Sequence, residues 1–209
     1  MKPRIFDNWP YLNNHVLAAV DVETTGRLPG HHEIIQIAVV PLDAEFEPIV
    51  GVLPFYINMA PDYPERAEKT AQVVHGLNLE ILKNEALNQV AGADLFCQWF
   101  EDLNLPLNKR LIPLAHNWAF ESPFLKHWLG IKTNDEIFMG TARDTMLYAA
   151  GLIDWYGTKA EKLPFYGLSL PNLCKIHGIT QKGKSHDALN DALACATLYK
   201  ILLRDYPVQ

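Results

Sequence analysis

The sequence predicts an α/β layered domain, and three observations carry that reading. Residues 15–22 and 34–40 ("IIQIAVV") are rich in valine and isoleucine, the composition of buried strands. Residues 49–57 read as a third strand, and the short connections favour an antiparallel meander of the three. After the proline-punctuated loop "NMAPDYPER" the pattern changes. Residues 65–104 read as helical, with apolar Leu95, Trp99 and Leu103 spaced by four, and from there strands alternate with helices. Strands first, then alternation, is the order of an α/β layered fold.

The remaining elements follow in sequence. "RLIPLAHN" is a short apolar run, read as a strand that leads into a helix through Trp128. Within that helix "ESPF" offers a second start signal, Ser122 as N-cap and Pro123 as first helical residue. "ARDTM" reads as a last short strand. "SLPNLCKIHG" opens with Ser169, with Pro171 near the helix start and Gly178 past the helix end, which suits a short helix. Residues 187–204 form the final helix.

Composition narrows the class. A chain of 209 residues, 49% hydrophobic, fits one domain spanning 1–209. Its net charge of -6 disfavours a protein that coats long nucleic acid. A small site on a strand end stays open, because metal ions supply positive charge locally. Cys97, Cys174 and Cys195 form neither a zinc pattern nor a disulfide framework and read as reduced thiols of a cytoplasmic protein. "MKPRIFDNWP" lacks the apolar core of a signal peptide. No apolar run approaches the roughly 18 residues of a membrane span, so no membrane partner is expected.

The chemistry begins in "LAAVDVETTG", residues 17–26. Asp21 and Glu23 are two apart on a strand and project from the same face. Adjacent carboxylates repel, and a divalent cation with oxygen ligands holds such a pair ionised. The alternative is a pair that caps a strand where it meets solvent. "HNWAFE", residues 116–121, follows a strand and opens a helix. "SHDALND", residues 185–191, opens the last helix. Asn117 suits an N-cap and Glu121 suits the positive end of a helix dipole. Asp191 lies beside the core-facing stripe of its helix, where an unpaired carboxylate is costly.

Together "DVETTG", "HNWAFE" and "HDALND" resemble the DEDDh 3'–5' exonucleases, which include the proofreading subunit of bacterial replicative polymerase, RNase T and oligoribonuclease. The third motif keeps the family spacing through His186 and Asp191. The second departs from it, with Glu121 where the family has aspartate. "VVHGL", residues 73–77, also resembles a segment of the proofreading-type members.

The resemblance implies a ribonuclease H-like fold, a five-stranded mixed sheet flanked by helices on both sides. It implies hydrolysis of single-stranded nucleic acid, DNA favoured, from the 3' end to nucleoside 5'-monophosphates. It implies two divalent cations, Mg2+ or Mn2+, bridged by Asp21. By the same resemblance Glu23 and Asp191 complete the shell of the first ion, Glu121 holds the second, and His186 acts as general base. Thr24, Thr25 and His75 are expected at the terminal nucleotide, His75 equally suiting a structural role before a turn glycine. His116 and Asn117 are expected to hold a helix start. An RNA-trimming exonuclease, or a strand-end binding module impaired by Glu121, are the alternatives. Only about 18 residues follow Asp191, so no polymerase-binding tail is expected.

Overall fold

The computed structural model describes residues 12–13, 15–180 and 186–206. The N-terminal segment read above for a leader, and Ser185 of the third motif, lie outside them. Five strands are described: β1 (Val16–Thr24), β2 (Ile34–Pro41), β3 (Phe55–Asn58), β4 (Leu111–Ala115) and β5 (Arg143–Asp144). Eight α-helices accompany them: α1 (Lys69–His75), α2 (Leu79–Glu85), α3 (Gln89–Asp102), α4 (Trp118–Leu129), α5 (Ile131–Ile137), α6 (Thr145–Thr158), α7 (Leu170–Ile176) and α8 (Ala188–Asp205).

The sheet order is β3-β2-β1-β4-β5. The first three strands pair antiparallel, while β4 and β5 run parallel to β1. This is the expected mixed sheet, with the expected meander inside it. β1 is central and buried on both sides, with Val16 to Val20 no more than 2% exposed. Its even-numbered side chains, Val16 to Val22, pack with Phe96 of α3, Phe124 and Leu125 of α4, and Ile137 of α5. Its odd-numbered Leu17 and Ala19 pack against Ala188, Ala192 and Cys195 of α8. Alternation along one strand thus sorts two helical layers onto opposite faces. Among the described residues no helix is long and apolar enough to cross a membrane.

Four expectations are corrected. The third strand starts at Phe55 rather than residue 49, because Gly51 is left-handed (φ 85) and Pro54 removes a donor just ahead of it. The 65–104 stretch is broken into a short 3-10 turn and three helices. Gly76 at φ 63 ends α1, and the side chains of Asn78 and Asn88 cap α2 and α3. Leu95 is 44% exposed, and the core side of α3 runs instead through Gly92 and Phe96. A Cβ on Gly92 would lie 2.5 Å from Met59 Sδ, so this glycine lets α3 close onto the sheet. Finally, "ESPF" does not start a helix: α4 runs unbroken from Trp118 with Pro123 inside it.

What starts α4 is Asp144, at the end of β5. Its carboxylate accepts the Asn117 and Trp118 N–H groups at 3.2 and 2.8 Å. It also accepts the Met146 and Leu147 N–H groups of α6 at 2.9 and 3.1 Å. One side chain caps two helices. Asp144→Ala is therefore expected to lower stability by about 2–4 kcal/mol, the sum of two lost caps. Asn88→Ala, which removes a single cap from α3, is expected to cost about 1 kcal/mol. Urea unfolding of both variants measures the difference, and equal losses would show that Asp144 serves only one helix.

Candidate active site

Asp21 and Glu23 stand where β1 outruns its parallel neighbour. The last β1–β4 pair is Ala19 with Leu114, while on the other side Asp21 still faces Ala38 and Glu23 faces Gln36 of β2. The register slips between Glu23 and Thr24, which bends the strand end. The crevice beyond the carboxyl ends of parallel strands is where open α/β sheets place their sites. Both carboxylates share the odd-numbered face of β1 with Leu17 and Ala19, so they point toward α8. Asp191 lies in the first turn of that helix.

The start of α8 is clamped by the sheet. Gln36 accepts the Ala188 N–H at 2.8 Å through its amide oxygen. Its amide nitrogen donates to Asn58 at 2.8 Å and Tyr56 at 3.2 Å. The Tyr56 hydroxyl donates to Asp187 at 2.6 Å, and Asp187 accepts the Asn190 N–H at 3.1 Å. Asp191 is thereby fixed across from Glu23. Donor atoms of Glu23, His186 and Asp191 all lie within 4.8 Å of one another. His186 adopts a left-handed backbone (φ 61). Its N–H donates to Asp191 Oδ2 at 3.2 Å, and its Nδ1 stands 4.0 Å from the same oxygen.

Glu121 arrives from the opposite layer, in the first turn of α4. It is 4% exposed, and its Oε2 has no hydrogen-bond partner. The carboxylates feel one another. Burial pushes Asp21 well above the usual carboxylate range, with repulsion from Glu23, Glu121, Asp191 and Asp187 added. Burial, then Asp191 and Asp187, push Glu23 up to about 8. Burial does the same to Glu121, opposed by a hydrogen bond from its own N–H and reinforced by Asp144. Such a set is proton-hungry or cation-hungry. Four oxygen donors and a buried carboxylate oxygen with no donor facing it fit a hard divalent ion such as Mg2+ or Mn2+. Asp21 and Glu121 stand outside the 4.8 Å cluster and join it through this repulsion.

The other expected residues divide. Thr24 and His75 line a cleft of about 470 Å³ beside Glu23, floored by Val22, Val74 and Phe120. Thr24 donates its hydroxyl to the Gly26 carbonyl at 2.6 Å. His75 is buried and accepts the Leu77 N–H at 2.9 Å, so its structural reading is present too. Thr25 has no exposed surface, and its hydroxyl accepts the Glu33 N–H at 2.9 Å. This side chain holds the turn and does not line the cleft. Asn117 makes no side-chain cap and sits left-handed, at φ 91. His116 bridges Thr145 Oγ1 at 2.8 Å and the Leu168 carbonyl at 2.7 Å. It ties β4 to α6 and to the chain ahead of α7, while Asp144 holds the helix start. Sequence reasoning missed Gln36, Tyr56, Asp187 and Asp144. Gln36 alone in an apolar strand, and Asp144 ahead of a helical stretch, were the available signals.

The RNase_T exonuclease family model matches residues 18–199, which contain every carboxylate of the cluster. The 3'–5' DNA exonuclease Cap18 of Escherichia coli is 23% identical over 192 residues, 91% of this chain and 92% of its own. E. coli exonuclease I in complex with a dT13 oligonucleotide superposes with a TM-score of 0.68 at 19% identity, over 92% of this chain and 42% of its own. A 3'-exonuclease that recognises the 3' end of a histone mRNA stem-loop superposes with a TM-score of 0.65 at 15% identity, over 91% of this chain and 64% of its own. The chain thus spans about two fifths of exonuclease I, and these structures share its ribonuclease H-like fold. With the family model covering most of its length and the three motifs meeting at one crevice, the chain belongs to the RNase_T exonuclease family, as a nuclease of the DEDDh type.

Proposed function

We propose that this protein is a cytoplasmic 3'–5' exonuclease, a single domain that trims single-stranded nucleic acid, DNA in preference to RNA, to nucleoside 5'-monophosphates. One observation carries the reading: burial, with carboxylates from β1, α4 and α8 converging on it, raises the affinity of Asp21 for positive charge. The name of the Cap18 relative supports DNA. The histone mRNA exonuclease, which shares the fold, keeps RNA as the second reading.

Asp21 would be shared by two divalent ions, with Glu23 and Asp191 helping to hold one and Glu121 the other. When bound, two such ions supply an activated water and stabilise the leaving 3' oxygen. The protein's own groups do the rest. His186, at the open rim of the cluster, takes the proton of the attacking water as general base. Thr24 and His75 border the terminal nucleotide. Val22, Val74 and Phe120 give its base an apolar bed.

Activity is expected to require Mg2+ or Mn2+ and a free 3'-OH and to release 5'-monophosphates. Full activity in excess chelator, or digestion of a 3'-blocked strand from its 5' end, sinks the reading. The same cations should also raise Tm. Glu23 is held at about 8 in the metal-free fold against 4.5 in the open chain. Metal-free stability from this group is therefore present below pH 4.5 and is lost as pH rises through about 8. Because protons compete with cations, the Tm gain on adding Mg2+ should be larger at pH 8 than at pH 5, read by calorimetry.

His186→Ala is expected to lower kcat by roughly 10²–10⁴-fold while metal binding survives. Asp21→Ala and Asp191→Ala should lose metal affinity and turnover together. Titration calorimetry separates the two patterns, and loss of metal in His186→Ala would make the imidazole a ligand.

Glu121→Gln, near-constant in shape, should lower turnover at least about tenfold, roughly 1.4 kcal/mol of transition-state stabilisation. Glu121→Asp should retain part of the activity. Wild-type turnover in Glu121→Gln would leave this residue as a helix-dipole partner only.

A further inference from the structure

The cleft beside the carboxylates is short of positive charge. Among the described residues that line it, Arg27 is the single lysine or arginine. On the exonuclease reading, four carboxylates are balanced by two divalent ions before any strand arrives, and Asp187 adds further negative charge nearby. A strand brings one negative charge per nucleotide. The ions engage the phosphate being cut; the next phosphates along the strand need another cation.

Arg27 stands in the right place on a rigid support. It leaves the turn that follows β1, four residues after Glu23. A Cβ on Gly26 would lie 2.5 Å from the His32 imidazole, so the backbone presses against that ring. Thr25 pairs its N–H with the Glu33 carbonyl at 2.9 Å, and its carbonyl accepts the Glu68 N–H at 2.8 Å. The turn is pinned on three sides, yet the Arg27 side chain is 83% exposed. Its ion pair runs from Nε to Glu68 Oε2 at 3.7 Å, longer than a hydrogen bond. Exposed pairs of this kind are worth at most about 1 kcal/mol. A phosphate therefore displaces Glu68 at little cost. Glu68 is also within 3.7 Å of His32 Nε2 and 3.4 Å of the Thr70 hydroxyl, so it stays put when the guanidinium turns away. Several other cations are committed elsewhere: Arg66 lies over Tyr63, Lys159 over Trp155, and Lys200 pairs with Glu47.

We propose that Arg27 is a substrate-binding residue that grips a backbone phosphate of the strand whose 3' end enters the cleft. The inference rests on the exonuclease reading and adds to it a contact that counts charge rather than base or sugar. Phosphate contacts position a strand and carry no sequence information.

The test compares the full chain with Arg27→Ala and Arg27→Lys on single-stranded DNA and RNA oligonucleotides, from about 50 to 300 mM NaCl. Binding is read separately by fluorescence anisotropy with metal present, comparing His186→Ala with the His186→Ala, Arg27→Ala double variant. Arg27→Ala should raise KM about tenfold, with the effect on KM rather than kcat. The slope of log affinity against log salt should fall by about 0.7, the value of one contact to a single strand, equally for DNA and RNA. Arg27→Lys should keep the slope and recover KM only in part, since a point charge replaces a planar fork. An unchanged slope in an Arg27→Ala protein with wild-type Tm overturns the role of Arg27 and leaves the exonuclease reading standing. A parent chain that trims neither oligonucleotide from its 3' end overturns the reading beneath it.

Discussion

Carboxylates crowded into a poorly solvated crevice, where burial and mutual repulsion both oppose their charge, are the constraint around which this fold is arranged. Burial, with repulsion from their neighbours added, makes Asp21 and Glu23 favour a proton or a cation over standing charged, and burial does the same to Glu121. Each unit of raised pKa corresponds to about 1.4 kcal/mol working against the ionised form. The surrounding structure holds them together regardless. β1 is locked between β2 and β4 up to Ala19, and β2 alone carries its end on to Thr24, which holds the carboxylates at the crevice. α4 and α8 each point a positive helix end at the same spot.

A second row of polar groups takes up the helix-start amides. Asp144 accepts those of α4, while Gln36 and Asp187 accept those of α8. The consequence is a division of labour. The outer row satisfies the backbone, and Glu121 keeps one carboxylate oxygen without a hydrogen bond.

Much of this was legible in the sequence where the signal was local and strong. The Val/Ile runs placed β1 and β2, and strand alternation put Asp21 and Glu23 on one face before any partner was known. Asp191 stood out as a carboxylate beside a core stripe. The failures share a cause. Ser122 and Pro123 carry a sound local start signal, but Asp144, over twenty residues away, sets the start of α4 at Trp118 instead. Leu95 matched a spacing of four, yet the close approach of α3 to Met59 turned Phe96 inward. The clamp of Gln36 on Ala188 joins positions 152 apart, which no window along the chain reveals. Thr25 adjoins the motif, but nothing along the chain shows that its hydroxyl is buried against the Glu33 backbone.

His186 holds a left-handed backbone, a conformation that costs a residue with a side chain on the order of 1 kcal/mol. Its N–H bond to Asp191 Oδ2 helps to offset that cost. The same oxygen faces the crevice in which a cation is proposed to sit. An ion that draws Asp191 toward itself also tugs the peptide that aims the imidazole. On the proposed function the proton acceptor would then be geared to the ligand shell, and ions of different radius would set it at different angles to the attacking water. Preference among divalent ions would be written into the geometry of water activation, and two ions bound equally tightly need not turn over alike.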